Sequence, residues 1–164
     1  MKTTIIIVGV AIIAAILVIL PNFASNSGGN QVSASSLVAT ETLYDFGEIP
    51  LQGGLVKTQF ELTNKGTDPI TVGKVYTSCM CTTASITESD GNKIGKFGMP
   101  GHKGQLNRAD SVVAPGESIT VTAVFDPAAH GPSGVGLAQR SVYLETDSSE
   151  TPKVELRFKA MVNN

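Results

Sequence analysis

Beyond residue 37 the chain alternates apolar and polar residues with a period of two. Val56, Thr58, Phe60 and Leu62 share one parity, and Lys57, Gln59, Glu61 and Thr63 the other. Ile119, Val121, Ala123 and Phe125 repeat the pattern, as do Val154, Leu156, Phe158, Ala160 and Val162. One apolar face and one polar face is the signature of a half-buried antiparallel strand. Val38–Leu43, Ile70–Cys81 and Ser141–Glu145 are shorter candidates, and Asn64-Lys65-Gly66, Ala114-Pro115-Gly116-Glu117 and Asp147-Ser148-Ser149 punctuate them as turns. No helical stripe follows residue 21. The expected fold is all-β, an immunoglobulin-like antiparallel β-sandwich of about seven strands, with a small barrel as runner-up.

The first segment differs. Ile5 to Leu20 is an unbroken apolar run apart from Gly9. Its 16 residues make roughly 24 Å of helix, close to a bilayer span once Thr3 and Thr4 are added. That length favours an uncleaved transmembrane anchor over a cleaved signal segment, whose apolar core is shorter. Asn22-Phe23-Ala24 is a poor cleavage site, and Val32-Ser33-Ala34 fits better but lies far downstream. No Cys closely follows the run, so a lipoprotein anchor is not expected. Lys2 precedes the segment and no charge follows until Glu41, which places the domain outside the cytoplasm. The organisation expected is an anchor or signal over residues 1–21, a flexible Ser/Asn/Gly linker over 22–36 and the sandwich over 37–164. The localisation expected is the cell membrane, single-pass, or a secreted or periplasmic form if the leader is cleaved.

Composition narrows the function. Charged residues are 16% and the net charge is −2. Lys and Arg are scattered, which argues against nucleic acid as a partner. There is no Gly-x-Ser-x-Gly elbow, no phosphate-binding Gly loop and no marked carboxylate pair. The domain is therefore read as a binding module and not an enzyme.

Two stretches break the strand rhythm: residues 84–111, a polar insertion with five Gly, and residues 127–138, which contain His130-Gly131-Pro132-Ser133-Gly134. Irregular stretches of this length in a compact domain are commonly functional. The two Cys of the chain stand together as Cys79-Met80-Cys81. In an extended chain their Cα atoms would lie roughly 6.5–7 Å apart, at the limit for a disulfide. The pair is thus a reducible disulfide or two thiols aimed at one point, and two thiolates suit copper(I) or zinc. The two His of the chain, His102 and His130, fall in the two irregular stretches, and Met99 adds a thioether. Cys79, Cys81, His102 and His130, with Met99 as a weak axial ligand, form the expected metal set. It is similar in kind to the copper loops of cupredoxins, with a spacing of its own. The competing reading for each residue is structural: a small buried Cys pair, solvated or hydrogen-bonding His, and Met as filler. A protein-binding adaptor, with residues 84–111 as its recognition loop, is the alternative function. Thiol redox work ranks last, because no Lys, Arg or His neighbours the Cys pair in sequence.

Five motifs resemble one bacterial family: Tyr44-Asp45-Phe46-Gly47-Glu48-Ile49, Phe60-Glu61-Leu62-Thr63-Asn64-Lys65-Gly66, Ser78-Cys79-Met80-Cys81-Thr82-Thr83, Ala114-Pro115-Gly116-Glu117 and Val124-Phe125-Asp126-Pro127. The family is domain of unknown function 1573, and the resemblance covers about residues 38–162. It implies an extracytoplasmic sandwich similar to Hydin and major-sperm-protein domains, and no particular activity. Met80 stands where the family motif has Gly. The insertion with Met99 and His102 is absent from shorter members, so the metal reading rests on this sequence alone.

Overall fold

The computed structural model describes residues 33–102 and 106–164. The expected anchor or signal segment and most of the expected linker lie outside the described residues. Among the described residues, no helix is long and apolar enough to cross a membrane.

The described chain forms ten strands: β1 (Leu37–Ala39), β2 (Leu43–Pro50), β3 (Val56–Asn64), β4 (Ile70–Thr77), β5 (Thr82–Thr87), β6 (Lys93–Phe97), β7 (Arg108–Val113), β8 (Ser118–Phe125), β9 (Gly136–Thr146) and β10 (Lys153–Asn163). They make two five-stranded sheets, ordered β1-β3-β8-β5-β6 and β2-β10-β9-β4-β7. The alternating residues behave as their parity demands. Phe60, Leu62, Ile119, Val121, Ala123 and Phe125 are buried in the first sheet, and Val154, Leu156, Phe158, Ala160 and Val162 in the second. Burying these side chains supplies the main drive for the two faces to meet. Phe158 is central: its ring lies 5.4 Å from Phe125 of the other sheet and 5.5 Å from Phe46.

The structure is richer in strands than the alternation suggests. Residues 84–111 are not an irregular insertion: they contain most of β5, all of β6 and the start of β7. β5 and β6 pair with a register shift between Ala84 and Ile86, and β4 and β7 with one between Val72 and Lys74. Such bulges interrupt a period of two and hide it from a parity reading. The candidate strand Val38–Leu43 is two strands in different sheets: β1 pairs with β3, and β2 with β10. The β2–β10 pair is parallel, so the second sheet is mixed and not purely antiparallel. Lys159 Nζ meets Asp45 Oδ2 across that pair at 3.1 Å.

The last residues of the expected linker belong to the folded unit. Ser33 N–H donates to the Asp147 carbonyl at 3.1 Å, and Ser149 N–H donates to the Ser33 carbonyl at 2.8 Å. Ser35 is buried, and its Oγ accepts the Asp68 amide at 2.8 Å. It sits so close over Gly66 that a Cβ there would collide with the Ser35 side chain.

Candidate functional site

β4 and β5 lie in different sheets, so the four residues between them, Ser78 to Cys81, turn the chain from one layer to the other. The turn is tightly held. Thr82 N–H donates to the Cys79 carbonyl at 3.1 Å. The buried Thr77 hydroxyl shares its one proton between the carbonyls of Cys79 (3.0 Å) and Thr82 (3.1 Å). Ser78 N–H donates to the Ser141 carbonyl, and Ser141 N–H to Ser78 Oγ, each at 2.9 Å. These bonds bend the Cys79-Met80-Cys81 backbone, which is not extended. Its end Cα atoms are 5.3 Å apart, inside the disulfide range, and Cys79 and Cys81 are joined as a disulfide.

A second segment brings His130 to this turn. Asp126-Pro127 opens a 3-10 stretch over Pro127–Gly134, with the Asp126 carboxylate accepting the Ala128 amide at 2.9 Å. Asp126 N–H donates to the Cys81 carbonyl at 2.9 Å, so the cap of this stretch is fastened to the Cys turn itself. Gly131 then takes φ 57° and ψ −148°, a conformation open to little but glycine, and kinks the stretch immediately after His130. The imidazole Nε2 of His130 lies 3.2 Å from Cys79 Sγ. The Cys79, Cys81 and His130 ligand atoms all lie within 4.8 Å of one another.

Arg140 completes the site and is absent from the sequence-based candidates. It lies on β9 with Ala138, Val142 and Leu144 on the same parity, and those three are buried. A charged residue in a core-facing register requires a specific partner. Arg140 Nε donates to Cys81 Sγ at 3.0 Å, and Nη1 to the Gln139 carbonyl at 2.7 Å. Its guanidinium carbon lies 6.0 Å from the centroid of the Phe125 ring. The parity of Ala138-x-Arg140-x-Val142 was the available signal.

The two sulfurs therefore differ. Cys81 is 3% exposed and faces a fixed cation, whereas Cys79 is half-buried and faces the exposed His130. Met80 between them is exposed. On the Cys81 side a cleft of about 310 Å³ opens, bounded by Leu55, Met80, Thr83, Lys96 and Asp126.

His102 and Met99 lie in the connection after β6, where the His102 amide donates to the Met99 carbonyl at 3.3 Å. The start of that connection is close to the turn, since Thr77 N–H donates to the Gly98 carbonyl at 3.2 Å. His102 is exposed and does not join the cluster of Cys79, Cys81 and His130.

Two facing sheets joined by a disulfide-bearing turn define the class: an all-β sandwich domain with its Cys pair and His130 near one another. Residues 37–109 match the family model Protein of unknown function (DUF1573), the family its motifs resemble. The match takes in the Cys turn and ends within β7, so His130 and Arg140 lie beyond it. Among curated proteins no match was found. A solved structure of a protein of unknown function from Porphyromonas gingivalis W83 is 18% identical, with TM-score 0.56, over 85% of this chain and 51% of its own. The chain thus spans about half the length of that protein, and the likeness is one of fold. The VesB protease of Vibrio cholerae matches at 15% identity and TM-score 0.44, over 78% of this chain and 32% of its own. The secreted serine protease VesC of Vibrio cholerae matches at 15% and 0.44, over 80% and 23%.

Proposed function

We propose that the protein is an extracytoplasmic, membrane-tethered binding module without catalytic activity, and that in its reduced form it captures a soft metal on Cys79, Cys81 and His130. The observation that carries this reading is the convergence of two sulfurs and one imidazole nitrogen within 4.8 Å. Two thiolates and an imidazole suit copper(I), which accepts three soft ligands. Zinc would need a fourth ligand, such as water. The donor set fits copper in charge as well: two thiolates around Cu(I) carry a net negative charge, and Arg140 at 3.0 Å from Cys81 Sγ offsets it. The disulfide offers no thiolate, so capture requires prior reduction.

The test is anaerobic titration of the reduced full chain with Cu(I), and with Zn(II) in parallel, against a competing chelator. One tight equivalent of Cu(I) is expected in the reduced protein and none in the oxidised one. Cys79→Ser abolishes tight binding, and His130→Ala weakens it by about tenfold or more, the usual scale for loss of a ligand or its support. Binding no tighter than the chelator, or equal binding by the oxidised protein, would remove the metal reading.

A further inference from the structure

The unequal surroundings of the two sulfurs have a chemical use of their own. A disulfide opens when a thiolate attacks one sulfur and the other departs as a thiolate. The direction depends on access to the attacked sulfur and on stabilisation of the departing one. Both factors favour one direction here. Cys79 is the more exposed residue of the two, with the exposed Met80 beside it and His130 Nε2 3.2 Å from its Sγ. Cys81 is buried, and its Sγ already receives a guanidinium N–H at 3.0 Å. Arg140 is itself held by its bond to Gln139 and its place against Phe125, so it is set before any charge develops on Cys81.

The geometry points to a polarised exchange disulfide that accepts two electrons from a dithiol donor, with Cys79 as the attacked sulfur and Cys81 as the departing one. One thiolate of the donor attacks Cys79 Sγ. A donor–Cys79 disulfide forms, the Cys79–Cys81 bond breaks, and its electron pair leaves on Cys81 against Arg140. The donor's second thiol then attacks its own sulfur in the mixed disulfide. The donor's internal disulfide forms, and the electron pair of the donor–Cys79 bond leaves on Cys79. The dithiol is oxidised by two electrons, and its two protons pass through solvent to the two released sulfurs. This inference shares its sulfurs with the metal reading but does not rest on it, because the exchange is complete without metal.

The experiment uses the oxidised full chain in chelator-treated, metal-free buffer, so failure of metal binding has no bearing on the result. Limiting glutathione is added, the reaction is quenched in acid, and the mixed disulfide is located by peptide mapping. The rate of reduction by dithiothreitol is measured separately. Glutathione is expected on Cys79 over Cys81 by about tenfold or more. Arg140→Gln is expected to slow reduction by about tenfold and to even out the two adducts, with Arg140→Lys restoring most of the rate. Equal labelling of both cysteines in the natural protein overturns the inference, as does preference for Cys81 or a pair that stays as free thiols in air. If Arg140→Gln fails to fold, the mapping of the natural protein and the Arg140→Lys rate still decide it.

Discussion

Asn64 shows how one buried polar side chain fixes a corner of the sandwich. It is fully buried, its Nδ2 donates to the carbonyls of Asp68 (2.8 Å) and Val113 (2.9 Å), and its Oδ1 accepts the Gly66 amide (2.9 Å). Asn64→Ala strands three backbone groups and is expected to cost about 2 kcal/mol or more in urea denaturation. The sequence marks Asn64-Lys65-Gly66 as a turn but carries no sign that the amide reaches Val113, because that contact joins residues 49 positions apart. Gly131 matters for His130. Gly131→Ala forces a side chain onto φ 57° and ψ −148° and is expected to cost about 1–3 kcal/mol. The same variant should weaken Cu(I) binding while leaving both cysteines intact, which chelator competition measures. Arg140 was the legible residue that composition alone passed over. Its parity with Ala138 and Val142 marks it as core-facing, while its partner Cys81, 59 positions away, is fixed only by tertiary contact.

At the scale of elements, the parity of β3, β8 and β10 carries directly into burial. Of the bulged pairs, β4 falls within the expected strand Ile70–Cys81, whereas β5, β6 and β7 do not announce themselves, since each shift exchanges the inward and outward sets. The Cys turn follows the same logic. An extended chain puts Cys79 and Cys81 at the edge of disulfide reach, whereas the bend closed by Thr82 N–H on the Cys79 carbonyl brings them within it. Two carboxylates brace the second sheet. Asp45 on β2 is held below its ordinary value near 3.8, first by the Gly47 amide and then by Lys159. Glu145 on β9 is held below its ordinary value near 4.5, first by Lys74, with burial opposing and Tyr76 assisting. A carboxylate depressed in the folded state stabilises the fold above its unfolded pKa, and that contribution is lost as pH falls through the folded value. Stability should therefore drop as pH falls below about 4.5 and on through the lower folded values of the two groups. Both pairs are exposed and each contributes little. Lys159→Met should make that acid-side decline shallower, read from urea midpoints measured across the range.

At the scale of the molecule, the sandwich was legible because three long strands alternate cleanly, and its count and mixed pairing were not. The β2–β10 pair joins residues far apart in sequence, and nothing local in Leu43–Pro50 specifies a parallel neighbour. The edge of the domain is hard to read for a related reason: Ser33 and Ser35 have linker composition, yet their hydrogen bonds tie them to Asp147, Ser149 and Asp68. A domain beginning at residue 37 should melt at a lower temperature than one beginning at residue 32, as thermal unfolding of the two will show. The candidate site has the same division. Its cysteines and histidines were visible by residue type, but which histidine meets the sulfurs depends on Asp126 capping one segment onto the Cys turn. The most direct measurement of that convergence is X-ray absorption at the copper edge of the reduced, Cu(I)-loaded full chain. The account predicts two sulfur neighbours and one imidazole nitrogen, with the nitrogen lost in His130→Ala and kept in His102→Ala. A copper site without sulfur, or one whose nitrogen survives His130→Ala and disappears in His102→Ala, would contradict it.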